Sequence, residues 1–83
     1  MIRISLTEEQ VIFLEKMFPD EEIVQSVLHS KNDKEFFIDV DTKIDFMDFL
    51  EDAAVGFMDE NQEPTFETKK LEEIRDSIYY QTN

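Results

Sequence analysis

The residues best able to do chemistry in this 83-residue chain are carboxylates, and they crowd into one stretch, DVDTKIDFMDFLED, from Asp39 to Asp52. Asp39, Asp41, Asp45, Asp48, Glu51 and Asp52 fall there at intervals of one to four residues. Carboxylates so spaced could hold a divalent cation, divide acid and base roles in catalysis, or present a dense negative surface. Each of these needs different companions.

The cation reading has a pattern to meet. KIDFMDFL resembles the exit half of an EF-hand loop, with Ile44 in the short strand position, Asp45 ninth and Asp48 twelfth. Asp39 and Asp41 would then stand third and fifth. The first ligand position, however, falls on Phe37, and the sixth on Thr42 where a sharp turn needs glycine. The twelfth is Asp, whose shorter side chain replaces the usual bidentate Glu. A strand followed by a capped helix accounts for the same residues without an ion, so no metal site is expected.

Catalysis finds less support. His29 is the only histidine, placed near a helix end where a positive charge suits the dipole. With no cysteine and one glycine, there is neither a thiolate nucleophile nor a glycine-rich phosphate loop. In a chain this acidic, neighbouring carboxylates are common by chance. The expectation is a non-enzymatic protein that uses no cofactor.

The third reading, a negative surface, follows from the charge itself. Twenty-one acids against eight bases give a net charge of −13 and a pI near 4.2. That field opposes direct contact with nucleic acid or an anionic membrane and attracts a basic protein surface. Between Glu35 and Glu67 lie eleven acids and a single base, Lys43, so the charge is concentrated as well as large. Such runs are usually solvated faces, yet at this density they carry a cost in self-repulsion.

The elements that must position these groups are legible from periodicity. Ile2, Ile4 and Leu6 alternate with polar residues as a short strand does. Thr7 and Gln10 make a capping box for a helix starting at Glu8, with Leu6 and Val11 as its staple and Pro19 as its stop. Ile12 falls on that helix's polar side. A second helix follows Asp20 as cap, burying Ile23, Val24, Val27 and Leu28. Ser30–Lys34 reads as a turn, and Phe36, Ile38 and Val40 as one face of a second strand. An extended piece near Lys43 is a candidate third strand.

Asp45 then reads as the cap of a third helix, with Ile44 and Phe49 as staple and Asp48 closing the capping box. Its apolar arc holds Phe46, Met47, Leu50, Ala53, Ala54, Phe57 and Met58, opposite Asp45, Asp48, Asp52 and Asp59. Phe66 is placed to anchor a fourth helix that buries Leu71, Ile74 and Ile78. The fold expected is α+β over residues 1–83, a single compact domain of about four helices on a two- or three-stranded sheet.

The start, MIRISLTEEQ, lacks the apolar core of a signal peptide, and the longest apolar run, Val11 to Leu14, is too short to span a bilayer. A cytoplasmic location is expected. In size, charge and composition the chain is similar to the small acidic anti-restriction and anti-CRISPR proteins of phages and mobile elements. That resemblance implies an inhibitor that mimics nucleic acid and binds a basic groove, with Asp45, Asp48, Glu51, Asp52, Asp59 and Glu60 as contact residues. The alternative is an adaptor, antitoxin or immunity-type protein binding one partner through a mixed surface that includes Ile12, Val55, Tyr79 and Tyr80. Self-association is compatible with either.

Overall fold

The computed structural model describes residues 1–58, 60–61 and 63–82. Strand β1 (Ile2–Ile4) leads through Thr7 into helix α1 (Glu8–Met17). The backbone N–H of Gln10 donates to Thr7 Oγ1 at 3.1 Å, and the Thr7 N–H donates to Gln10 Oε1 at 2.9 Å, which completes the expected capping box. α1 ends ahead of Pro19, with Phe18 as its C-cap.

Helix α2 (Glu22–His29) departs from expectation at its start. Its N-cap is Glu21 instead of Asp20, and no side chain bonds to the free amides there. The Glu21 N–H reaches back to Phe18 O at 3.4 Å, so Asp20 is held within the turn after Pro19, one residue short of the cap. Glu21→Ser supplies a capping hydroxyl and removes a charge. It is expected to stabilise the fold by about 1 kcal/mol, read as a higher urea midpoint at unchanged slope.

Strands β2 (Lys31–Asn32) and β3 (Glu35–Ile38) form a hairpin across Asp33 and Lys34. Asp33 takes a φ of 64°, a left-handed conformation that the short polar side chain tolerates. The third strand therefore lies inside the expected turn, and Lys43 is helical. The sheet is antiparallel in the order β1-β3-β2, with Ile4 and Lys31 both opposite Phe36.

Helix α3 (Val40–Gly56) also begins earlier than expected, with Asp39 as its cap instead of Asp45. The Thr42 N–H donates to Asp39 Oδ1 at 2.6 Å. The bonds from Thr42 hold the Asp39 carboxyl below its ordinary value of 3.8. A carboxyl depressed in the folded state stabilises fully above its unfolded pKa and loses that contribution as pH falls through the folded one. Asp39→Asn keeps a capping acceptor that does not titrate. Its thermal midpoint is expected to fall less steeply than the parent's below about pH 4.

Helix α4 (Phe66–Thr82) is tied to the end of α3 by two threonines. Thr65 Oγ1 donates to Phe57 O at 2.7 Å and accepts from the Thr68 N–H at 3.2 Å. Thr68, fully buried, donates its hydroxyl to Ala54 O at 2.8 Å. These bonds, and not Phe66, fix the start of α4; the Phe66 side chain is 66% exposed. At the other end, Gln81 Nε2 donates to Ser5 O at 2.9 Å and holds α4 against the end of β1.

Every helix and two of the strands contribute to one core. Ile4, Leu14, Val24, Val27, Phe36, Ile38, Phe46, Leu50, Ala54, Leu71, Ile74 and Ile78 are buried together. Phe18 meets Phe49 edge-on at 4.9 Å and Phe57 at 6.3 Å, which locks the end of α1 onto α3. The architecture, four helices on a three-stranded antiparallel sheet, is the expected α+β class.

Candidate interaction surface

α3 packs against α2 on one flank and α4 on the other, which leaves one long face outward. At 100° per residue that face carries Asp41, Asp45, Asp48 and Asp52 along one side and Val40, Ile44, Glu51 and Val55 along the other, all of them exposed. The opposite face buries Phe46, Leu50 and Ala54. Burial on one side is what holds the charged side rigid. Asp45, Asp48 and Asp52 are spaced by about 4.5 and 6 Å along the axis.

Of the expected contact residues, the helix brings Asp45, Asp48, Glu51 and Asp52 to this one face. Glu60 is exposed beyond the end of α3, and Asp59 lies outside the described residues. Glu51 is partly compensated, with Arg75 Nη1 at 3.8 Å, while Arg75 Nη2 meets Asp76 at 3.0 Å. Among the described residues no ion pair reaches Asp45, Asp48, Asp52 or Glu60. Asp45 borders a shallow hollow with Glu22, Ile23 and Ser26 of α2, which carries the negative surface onto the neighbouring helix.

Asp41, Asp45 and Asp48 lie along a continuous helix and Asp39 caps it, so these groups do not encircle a cation as loop ligands would. Among the described residues no group of three or more His, Asp or Glu side chains is arranged to hold a metal ion. Among them, too, no helix is long and apolar enough to cross a membrane.

The exposure of Val55, Tyr79 and Tyr80 agrees with the mixed surface expected from the sequence, whereas that of Val40 and Ile44 was not legible there. Val40 reads as a strand residue and Ile44 as half of a staple, yet they are 59% and 52% exposed. Val55 lies on the same side, about 16 Å further along the axis and beyond Glu51, so the apolar positions beside the aspartates are interrupted by a carboxylate. Tyr79 and Tyr80 meet edge-on at 6.0 Å and border, with Met47 and Glu51, a groove between α3 and α4. Ile12 is exposed on α1, in a different groove beside β2. A match to the period of the whole α3 segment, begun at Val40, is the signal that places Val40 and Ile44 outward.

Comparison with protein-family models, with curated proteins and with solved structures yields no match.

Proposed function

We propose that the chain is a non-enzymatic acidic inhibitor that occupies the basic nucleic-acid-binding groove of a protein target, as anti-defence proteins of phages and mobile elements do. The observation that carries this reading is the outer face of α3. Asp45, Asp48 and Asp52 stand exposed at regular spacing on a helix anchored through its other side, and no ion pair among the described residues neutralises them. Lysines and arginines that bind successive phosphates would meet a row of carboxylates without any base to read. A pre-formed helix adds no ordering cost on binding.

A second reading is favoured by the exposed apolar residues Val40, Ile44 and Val55 on the same face. An adaptor, antitoxin or immunity-type protein would use them, with Tyr79 and Tyr80, as the centre of its interface and the acids as the rim. The two readings differ in salt dependence. A tagged chain exposed to nuclease-treated lysate of its source organism and washed in salt steps separates them. Release of a DNA- or RNA-binding enzyme at moderate salt supports the inhibitor. A partner retained at about 1 M salt, where the screening length is about 3 Å, points instead to the mixed interface.

A further inference from the structure

The groove between α1 and the hairpin lies apart from the acidic face, since none of its lining residues belongs to α3. Its volume is about 480 Å3, its floor is Leu6, Val11, Ile12 and Phe36, and Lys31 and Lys34 stand over it. That volume is within the range of ligand-binding clefts. In a chain with 21 acids and eight bases, both lysines are exposed, and among the described residues neither makes an ion pair. An apolar floor beneath two uncompensated cations selects a ligand that is apolar in one part and anionic in another.

The wall of the groove narrows that class further. β2 is an edge strand, paired with β3 alone. The Phe37 N–H donates to Ser30 O at 3.4 Å, which makes residues 30 and 37 the hydrogen-bonded pair. The next pair, Lys31 with Phe36, is then the non-bonded kind, so the N–H and C=O of Lys31 turn away from β3 toward the open edge. The Lys31 side chain shares the sheet face of Phe36, its partner, and Phe36, itself buried in the core, lines the bottom of the groove. An extended strand added at this edge would pair with Lys31 and place its own apolar side chain on the same face, over Val11, Ile12 and Phe36.

We propose that this groove binds an extended peptide segment of a partner protein by strand addition to β2, with an apolar residue opposite Lys31 and a carboxylate toward the hairpin tip at Lys34. The Lys31 N–H and C=O supply one pair of main-chain bonds that fixes the register of such a complex, and the apolar and charged side chains facing the groove supply the rest of its affinity and its selectivity. Glu8, at the α1 end of the groove, sets the polarity, because it repels a carboxylate placed there. In an antiparallel addition the acidic residue lies two positions before the apolar one, on the same face. The net charge of −13 opposes an anion at long range. At physiological ionic strength screening acts within about 8 Å, and the two lysines set the local field.

The test is a titration of the isotopically labelled chain, followed by amide NMR, with acetyl-Glu-Thr-Leu-Thr-Ser-amide. The expected result is saturable shifts at Leu6, Ile12, Lys31 and Asn32, with slowed exchange of the Lys31 amide. The double exchange Lys31→Glu with Lys34→Glu should weaken binding by about tenfold, as should a peptide with Lys in place of Glu. If charge reversal unfolds the hairpin, Lys31→Gln with Lys34→Gln gives the same comparison at about half the effect on a logarithmic scale. Equal binding of the lysine peptide, shifts confined to α3, or unchanged affinity in the lysine variants would overturn the proposal. So would binding of dodecanoate at these residues with no response to the peptide, which would make the groove a site for anionic amphiphiles.

Discussion

Replacing Asp45, Asp48 and Asp52 together by lysine is expected to abolish binding to a basic partner while the fold survives. All three side chains are exposed, none is engaged in an ion pair among the described residues, and none caps α3, because Asp39 has that role. Each exchange changes the charge by two, so the net charge moves from −13 to −7 and self-repulsion falls. The stability change should stay within about 0.5 kcal/mol per site. Binding should respond far more. Each position turns an attraction into a repulsion, and at about a factor of ten per site the affinity falls about a thousandfold.

The measurement is a titration of the captured partner at two salt concentrations, with far-ultraviolet circular dichroism as the control for folding. Affinity retained within a few-fold would make the ridge a solvated face. The companion variant, Ile44→Ser with Val55→Ser, removes two of the exposed apolar side chains and leaves every carboxylate in place. If that variant releases the partner and the lysine variant does not, the mixed-interface reading is correct. If both release it, charge and apolar contact act together on one face of α3.

The second large effect is on stability. Phe46→Ala is expected to cost about 3–5 kcal/mol, through lost burial and the cavity left behind. Phe46 is fully buried on the inner face of α3, in the same cluster as Leu50, Leu71, Ile74 and Ile78. A domain of 83 residues has about 4–12 kcal/mol of stability in total. The variant should therefore unfold at a much lower urea concentration, and a large part of it should be unfolded without denaturant if the parent lies at the low end. Phe66→Ala supplies the contrast, since a side chain 66% exposed has little burial to lose. A loss at Phe66 equal to that at Phe46 would contradict the assignment of the core.

The triple lysine variant and Phe46→Ala probe opposite sides of α3, and the sequence discloses the sides unequally. The inner arc of Phe46, Leu50 and Ala54 follows from a period of 3.6 residues, which depends only on side-chain type. The outer arc depends on where the helix begins. Asp39 and Asp45 both have cap chemistry, and the alternation of Phe36, Ile38 and Val40 extends the apparent strand past its true end. The choice between them is tertiary. β3 has partners only as far as Ile38, opposite Ile2 at the start of β1, so the backbone beyond is free to turn and Asp39 meets the Thr42 amide. Val40 and Ile44 are exposed as a consequence.

The sequence by itself determined the number and kind of helices, the capping box at Thr7, the apolar faces that make the core, and the gathering of carboxylates along α3. All of these rest on neighbours within about one turn of chain, where side-chain chemistry acts directly on the backbone. The tertiary structure alone decided the third strand, the uncapped start of α2, the exposure of Phe66 and the groove beside β2. Lys31 and Asn32 have no apolar alternation to announce a strand; they form one because Glu35 and Phe36 present a backbone edge and Asp33 adopts the turn between them. Phe66 stays outside because Thr65 and Thr68 already satisfy the end of α3. Each outcome was set by which backbone groups pair with which, across the hairpin, the turn after Phe18 or the α3–α4 junction, and side-chain periodicity does not record that choice.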